Sequence, residues 1–251
     1  MPSLIWAINK MHFPSTLEEL YLARKRIAFN EFFEFLYKMD LLCGNHIKSK
    51  TNILLNKDAK IDKLISLLDF PLTKGQQSAI DEISKDLSSG YQMNRLVQGD
   101  VGCGKTVVAL IASYQAIING YQAALMAPTV VLATQHYMDI KELSERNNIE
   151  IHPVLLTGST KAAERRAALK GIEDGTYNLV IGTHALITDK VNYHNLGIAI
   201  CDEQHRFGVK QRFNLSEKGD MVHQLVMSAT PIPRTLGLIL YGDLDISTIK
   251  E

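Results

Sequence analysis

A glycine-rich octapeptide is the stretch of this chain whose residue types and spacing most clearly indicate chemistry. It consists of Gly99, Asp100, Val101, Gly102, Cys103, Gly104, Lys105 and Thr106, and it fits the phosphate-loop pattern GxxxxGK[ST]. Glycines lack the Cβ that would keep a backbone from wrapping an anion with its N–H groups. Lys105 can reach the β and γ phosphates of a nucleotide, and Thr106 can offer its hydroxyl to Mg²⁺.

The sequence on both sides of this glycine loop supplies the context that the pattern requires. Apolar Leu96 and Val97 precede it, and a helical run from Thr106 to Asn119, closed by Gly120, follows it. The N-terminus of such a helix is partially positive and would face the phosphates. A glycine turn that matches the pattern by chance is the alternative, and the flanking segments argue against it.

Two adjacent acids, Asp202 and Glu203, follow a second apolar run at 196–201. An Asp at the end of a strand near a phosphate loop can hold Mg²⁺, usually through water, and the next Glu can orient and deprotonate the attacking water. Such a pair is also common in a mere surface turn. Together with the glycine loop upstream, it predicts the metal-binding and catalytic acids of a nucleotide hydrolase.

His205 lies three residues beyond Asp202, and two interpretations of it stay open. It could satisfy a backbone group, or it could sense the γ-phosphate. In the second case its state would pass to the segment that follows the last predicted strand, namely Ser228, Ala229 and Thr230.

The elements that must position these residues follow the pattern of a parallel sheet covered by helices. Short apolar runs alternate with amphipathic stretches from about residue 67 onward. We predict strands at 95–98, 122–127, 151–156, 178–181, 197–201 and 222–227. Ligands bind at the carboxyl ends of such strands. The predicted fold class is therefore α/β, with a central, mostly parallel sheet flanked by helices, and residues 241–251 show no sign of a further element.

The first 66 residues read as a separate helical segment. A helix is predicted from Thr16 to about Cys43, with Ser15 or Thr16 as its cap, and a weaker one over about 58–68. Because the segment is too short for a core of its own, we interpret it as the tail of a preceding domain. Pro71 breaks the helical pattern and Thr73 can cap the next helix, so a second domain is predicted over 67–251.

Composition excludes several classes of protein. Lys plus Arg and Asp plus Glu number 27 each, so any nucleic-acid surface would be a local patch. The three cysteines are far apart and lack metal-ligand spacing, so neither a disulfide nor a zinc site is expected. No apolar run is long enough for a signal peptide or a membrane span. We expect a cytoplasmic protein and, because nothing suggests an obligate assembly, a monomer.

The motifs, taken in order, resemble those of the superfamily 2 helicases. GDVGCGKT is similar to motif I, APTVVLATQH to motif Ia, DEQH to motif II and SATPIPRT to motif III. DEQHRFGVKQR, MHFPSTLEELYLARKRIAFNE, FPLTKGQ, GTHAL and YGDLD resemble the RecG family of bacterial ATP-dependent DNA helicases, which remodel stalled forks and Holliday junctions. The transcription-repair coupling factor, which shares RFGV and ATPIPRTL but usually has DEEQ, is the alternative.

The resemblance implies a RecA-like domain that uses ATP and Mg²⁺. The catalytic residues would be Lys105, Asp202, Glu203 and His205, and the metal ligands Thr106 and Asp202. Residues that would couple nucleotide state to DNA or to a neighbouring domain are Gln204, Arg206, Ser228, Ala229 and Thr230.

The nucleotide base would lie near FPLTKGQ. Gln76, which follows Phe70 and Leu72, resembles the glutamine that reads the adenine edge. A solvated residue in the first turn of a helix is the alternative, and Gln77 takes the role if the register is shifted by one.

Three loops that follow other strands resemble the DNA track of the family. They comprise Pro128, Thr129, Thr157, Gly158, Ser159, Gly182, Thr183 and His184. Each loop places hydroxyls or backbone N–H groups beside a predicted helix start, where a phosphate of the DNA backbone can bind. Helix capping is the alternative for each loop alone. Gln135 and His136 are interpreted as helix-face residues without a ligand, although motif Ia includes them.

Helicases of this class hydrolyse ATP between two RecA-like domains, and the second supplies arginine fingers. We therefore expect a fragment: a first motor domain with its leading linker from a wedge domain, acting on branched DNA in the parent protein and nearly inactive alone. A phosphate-loop kinase or a GTPase would share Lys105 and Thr106, but neither an acceptor lid nor an NKxD motif is present. The intact acid pair disfavours a scaffold without turnover.

Overall fold

The computed structural model describes residues 1–43, 49–188, 190–202, 221–229 and 244–250, with side chains described over 1–38 and from 49 onward. The chain divides into two compact units. Among the described residues, the first unit holds 1–43 and the second holds the rest. Residues 49–66 thus belong with the larger unit, while the domain boundary at residue 67 stays a prediction.

The first unit contains two helices, α1 (Leu4–His12) and α2 (Leu17–Cys43). The predicted cap of α2 is confirmed, because the hydroxyl of Thr16 accepts a hydrogen bond from the N–H of Glu19 at 3.2 Å. The carboxylate of Glu19 in turn accepts from the N–H of Ser15 at 2.8 Å. Such reciprocal bonds satisfy donors that a helix N-terminus would otherwise leave unpaired.

The second unit is built on a seven-stranded sheet. Its strands are β1 (Asn94–Gln98), β2 (Gln122–Met126), β3 (Pro153–Leu156), β4 (Leu179–Gly182), β5 (Leu196–Cys201), β6 (His223–Ser228) and β7 (Asp245–Thr248). Their spatial order is β3-β4-β2-β5-β6-β1-β7, and every pairing is parallel. The six predicted strands are confirmed, with ends that differ by one or two residues.

The expectation that no further element follows residue 241 is wrong. Asp245–Thr248 forms β7, which pairs with β1 at the edge of the sheet. The segment is only four residues long and three of the four are polar, so its sequence carries little strand signal. Arg95 fixes it in place, because the buried guanidinium bonds the Ser247 hydroxyl at 2.7 Å and the carboxylates of Glu82 and Asp86 at 2.8 Å each.

Among the described residues of this unit, five α-helices accompany the sheet: α3 (Ala59–Ser66), α4 (Lys74–Leu87), α5 (Lys105–Ile118), α6 (Val130–Asn147) and α7 (Ala162–Glu173). A 3₁₀ turn covers His184–Ile187. Helix α5 is buried at Lys105 and continuously from Val107 to Ala116, as its long apolar run predicts, whereas Thr106 is exposed. Central strands β2, β4 and β5 are buried along their whole length, which explains why they read as unbroken apolar runs. Within the described part of the chain, no helix combines the length and apolar character needed to cross a bilayer.

Candidate functional site

The glycine loop connects the end of β1 to the start of α5. Gly102 and Gly104 have φ angles of +87° and +81°, which side-chain-bearing residues rarely adopt. At Gly99 a Cβ would lie 2.6 Å from Sγ of Cys103 and 3.0 Å from the backbone carbonyl oxygen of Ile249, so packing favours glycine there. Gly104 is the N-cap of α5, and no side chain caps that helix. The loop therefore has the backbone shape that the phosphate-loop pattern predicts.

Lys105 is buried against this loop. Its ammonium donates to the backbone carbonyls of Gly99 and Asp100, at 2.8 and 3.0 Å. Only 8% of the residue is exposed. The side chain thus places a positive charge inside the loop. An anion bound by the N–H groups of the loop would lie close to this charge.

Gln76 fastens α4 to the same loop. Its side-chain oxygen accepts from the N–H of Thr73 at 2.9 Å, and the Thr73 hydroxyl accepts from the N–H of Gln76 at 3.3 Å, which forms a capping box. The amide nitrogen donates to the carbonyl of Cys103 at 2.9 Å. Gln76 is buried, so the alternative of a solvated first-turn residue is wrong. Adenine recognition by Gln76 stays a prediction.

A cavity of about 430 Å³ adjoins the loop. Its lining includes Phe70, Gly104 and Thr106, together with residues of α6. Arg146 and Asp69 form an ion pair of 3.0 Å within this lining, and the sequence did not point to either residue. Leu72 packs against the hydrophobic core instead. The cavity has the apolar walls and charged rim of a small-ligand site.

Asp202 directly follows β5, so it lies at the carboxyl ends of the parallel strands, where the glycine loop also lies. Cys201 pairs with Val226 of β6, and Gln98 pairs with Ser228 of the same strand. Strands β5 and β1 are therefore two positions apart, a backbone separation of roughly 10 Å. Asp202 is buried, and its N–H donates to the carbonyl of Met126 at 2.9 Å. Glu203, Gln204, His205, Arg206 and Thr230 lie outside the described residues.

The structure brings His136 to this acid, which the sequence did not predict. Its Nε2 lies 3.6 Å from Oδ2 of Asp202. Both residues are buried, and Nε2 makes no hydrogen bond within the described part of the chain. Only the inclusion of His136 in motif Ia could have suggested it, because one histidine on a helix carries no signal by itself.

Ser228 joins the end of β6 to the glycine loop, since its carbonyl accepts from the N–H of Gly99 at 3.2 Å. Ser228 is buried, and Ala229 follows it half-buried. A displacement of this strand end would therefore change the position of the glycine loop directly.

The three loops of the predicted DNA track follow β2, β3 and β4, which are neighbours in the sheet. The hydroxyl of Thr129 accepts from the N–H of Leu132 at 3.2 Å, so helix capping occupies it. The hydroxyls of Thr157 and Ser159 lie 3.0 Å apart. At Gly182 a Cβ would lie 2.0 Å from the carbonyl oxygen of Leu156, so this glycine serves the close approach of β3 and β4.

The residues of these three loops differ in their exposure to solvent. Gly158, Ser159 and His184 are exposed, and Pro128 is half-buried. Thr183 precedes the 3₁₀ turn without capping it by a side-chain bond.

Comparison with known proteins assigns the family. Residues 73–239 match the DEAD/DEAH box helicase family. ATP-dependent DNA helicase RecG of Streptococcus pneumoniae is 47% identical over 98% of this chain and 36% of that protein. RecG of Synechocystis is 48% identical over 98% of this chain and 29% of that protein. The chain thus spans about a third of the length of the curated relatives it matches.

Solved structures agree with this assignment. A structure of RecG bound to a three-way DNA junction aligns with a TM-score of 0.77 at 43% identity, over 97% of this chain and 32% of that one. The DEAD-box helicase Mss116 bound to ssRNA and UDP-BeF aligns with a TM-score of 0.60 at 25% identity, over 80% of this chain and 46% of that one. The predicted RecA-like fold and the predicted resemblance to RecG are confirmed. With the glycine loop and strands β1 to β6 inside the matched region, the chain belongs to the DEAD/DEAH box helicase family.

Proposed function

We propose that this chain is the ATP-binding motor domain of a RecG-type DNA helicase or translocase. The complete protein would couple ATP hydrolysis to the remodelling of branched DNA, such as replication forks and Holliday junctions, in recombination and repair. The proposal rests on one observation: the glycine loop and Asp202 both lie at the carboxyl ends of the parallel strands, and only β6 separates the two strands that they follow. Similarity to RecG over nearly the whole chain supports the DNA-remodelling part and favours it over a transcription-repair coupling factor.

ATP phosphates are assigned to the glycine loop and the N-terminus of α5. Backbone N–H groups and the helix dipole suit such an anion, and Lys105 would exchange its carbonyl partners for phosphate oxygens. The open space around Gly102 and the absence of a side-chain cap on α5 support this fit. The base is assigned to the neighbouring cavity, where Phe70 offers an aromatic face.

Adenine recognition by Gln76 requires its amide to exchange one of its bonds to Thr73 or Cys103. Its present contacts support a role in holding the loop. The two roles can be distinguished by replacing Gln76. If Gln76 reads the base, the replacement changes the preference for ATP over GTP; if it only holds the loop, the preference stays the same.

Thr106 and Asp202 are the proposed Mg²⁺ ligands, Asp202 directly or through water. Mg²⁺ prefers oxygen ligands such as hydroxyl and carboxylate groups. When bound, it would neutralise part of the negative charge of the phosphates. Glu203 would orient and deprotonate the attacking water, and His205 would sense the γ-phosphate.

DNA backbone contacts are proposed for the three adjacent loops after β2, β3 and β4. Ser159 and His184 are exposed and so accessible to a DNA backbone, while Thr129 caps α6 and Gly182 lies against the Leu156 carbonyl. Phosphate contacts of this kind would position a strand without reading its sequence.

The remaining parts of the machine are proposed to come from the same parent chain. A second RecA-like domain would close on the nucleotide and supply the arginine fingers, and a wedge domain would engage the junction. Residues that would transmit closure are Gln204, Arg206, Ser228, Ala229 and Thr230. Alanine replacement of Arg206 should therefore reduce DNA-stimulated ATPase in the complete protein.

ATPase measurements on the full-length protein, with and without fork DNA, test the proposed function. We expect fork DNA to stimulate the wild type, and Glu203→Gln and Asp202→Asn each to lose most of the turnover. Glu173→Gln, an exposed acid at the end of α7, is the control and should retain it. Wild-type turnover in the Glu203→Gln variant would refute the assigned base. Binding to RNA polymerase rather than to branched DNA would favour the coupling factor.

A further inference from the structure

His136 is a buried polar side chain for which the proposed reaction gives no use. It lies in the second turn of α6, 7% exposed, and its Nε2 makes no hydrogen bond within the described residues. Burying an imidazole nitrogen without a partner is unfavourable by roughly 1–3 kcal/mol. A group left in this state therefore calls for a reason beyond packing.

The group that this nitrogen faces is the carboxylate of Asp202. The 3.6 Å between Nε2 and Oδ2 exceeds a hydrogen bond, for which N to O distances of about 2.7–3.2 Å are usual. A shift of less than an ångström in the carboxylate would close the gap. Because the N–H of Asp202 donates to the carbonyl of Met126, the backbone is anchored, and rotation of the side chain alone would make this adjustment.

A carboxylate that holds a metal has two oxygens with different tasks. One faces the ion or its water, and the other is commonly fixed by a hydrogen bond from a neighbouring side chain. Here the bond would come from α6, which lies beside the sheet and is not part of the glycine loop or of the strand that carries Asp202. A neutral imidazole with its proton on Nε2 suffices for this.

We propose that His136 is the positioning residue of the metal site: it donates from Nε2 to one carboxylate oxygen of Asp202 and thereby turns the other toward Mg²⁺. This inference rests on the proposed function, since it assigns Mg²⁺ to Asp202. His136 itself touches neither nucleotide nor metal, so its effect is on cation affinity.

Three replacements of His136 separate positioning from packing. Gln can place its amide N–H close to the position of the imidazole Nε2. Asn is shorter, so its N–H falls near the position of Nδ1 and cannot reach Asp202. Leu keeps an apolar side chain of similar size and has no donor. Gln135→Leu, at the exposed neighbouring position, is the control.

Affinity for Mn²⁺, a paramagnetic substitute for Mg²⁺, is measured by electron paramagnetic resonance on the full-length protein saturated with a non-hydrolysable ATP analogue. We expect His136→Leu and His136→Asn to weaken Mn²⁺ binding roughly 10–100-fold, the range for lost partners of metal ligands. His136→Gln should recover most of the affinity. Binding of the analogue in EDTA should be equal in all variants, because the proposed phosphate and base sites do not include His136.

Equal Mn²⁺ affinity in the Leu and Gln variants and the wild type would overturn the positioning role. Equal losses in Gln and Leu would also overturn it, because the donor would then be irrelevant. If Leu fails to fold, the Gln and Asn pair still decides between these outcomes. Failure of the wild type to bind the analogue would instead refute the proposed function, so the two failures are distinguishable.

Discussion

The side-chain amide of Gln76 donates to the backbone carbonyl of Cys103 at 2.9 Å and ties the first turn of α4 to the glycine loop. The contact leaves no room for a side chain at Gly104, where a Cβ would lie 2.2 Å from the amide nitrogen. One residue therefore caps a helix and also braces the loop assigned to phosphate binding. Replacement of Gln76 can therefore act on the loop through lost bracing, through lost contact with nucleotide, or through both.

Gln76→Ala should lower the free energy of unfolding by about 1–2 kcal/mol, because the capping box and the Cys103 bond are both lost. Urea denaturation measures this, and ATP and GTP affinities measured together show whether the base is read as well. Gln77→Ala is the control for the stability measurement, since Gln77 bonds only Asp81 among the side-chain contacts described. A stability loss without change in the ATP to GTP ratio would assign Gln76 to bracing alone.

Lys105→Ala should weaken ATP binding roughly 10–100-fold, as expected for the loss of one charge-assisted contact of about 1.5–3 kcal/mol. The fold should persist, because the two carbonyls that Lys105 now bonds lie in a loop and not in the sheet. Isothermal calorimetry measures the affinity, with exposed Lys85→Ala on α4 as the control. Unchanged affinity in Lys105→Ala would contradict its role.

Gly182→Ala should destabilise the protein by about 1–3 kcal/mol, because the new Cβ would overlap the Leu156 carbonyl and neither backbone can move freely. Its control is Gly158→Ala, at a position where a Cβ meets nothing within 4 Å, and which should change stability by less than about 0.5 kcal/mol. Chemical denaturation compares the two. If both variants unfold alike, the close approach of β3 and β4 is not what requires glycine at residue 182.

Protonation of His223 should make the fold less stable in acid. Burial lowers the pKa of His223 from its ordinary 6.5, partly opposed by a bond to the Ile53 carbonyl and by the charge of Asp86. The N–H of Met93 donates to Nδ1 at 3.0 Å, so the ring proton is on Nε2, which donates to Ile53 at 2.9 Å. A second proton would break the Met93 bond.

The unfolded chain takes up this proton at a higher pH than the folded chain, because burial lowers the pKa of His223 in the fold. Below pH 6.5 the unfolded chain binds a proton that the folded chain does not, so the contribution is complete above that pH and is lost as the pH falls. The slope from this group is at most about 1.4 kcal/mol per pH unit. Urea denaturation at pH 7.5 and 5.5 should show a smaller difference for His223→Gln than for the wild type. His152→Gln, at an exposed position, should leave the difference unchanged.

Local features of this protein could be predicted from sequence because they depend on neighbouring residues. The glycine loop needs φ angles that glycine adopts at Gly102 and Gly104, and the cap of α4 needs Thr73 and Gln76 three residues apart. Buried parallel strands need apolar runs, and six of the seven carried that pattern. The motifs that run in order along the chain also identified the family.

Relations across the sheet required the tertiary structure. Strand order places β5 two positions from β1 and gathers the loops after β2, β3 and β4, and no local pattern encodes that order. The same holds for β7, which is held at the edge by Arg95, for Gly182 beneath the Leu156 carbonyl, and for His136 beside Asp202. Each of these contacts joins segments that are far apart in the sequence and are brought together by burial of apolar surface. Because this driving force is non-directional, the sequence of one segment does not show which other segment it will contact.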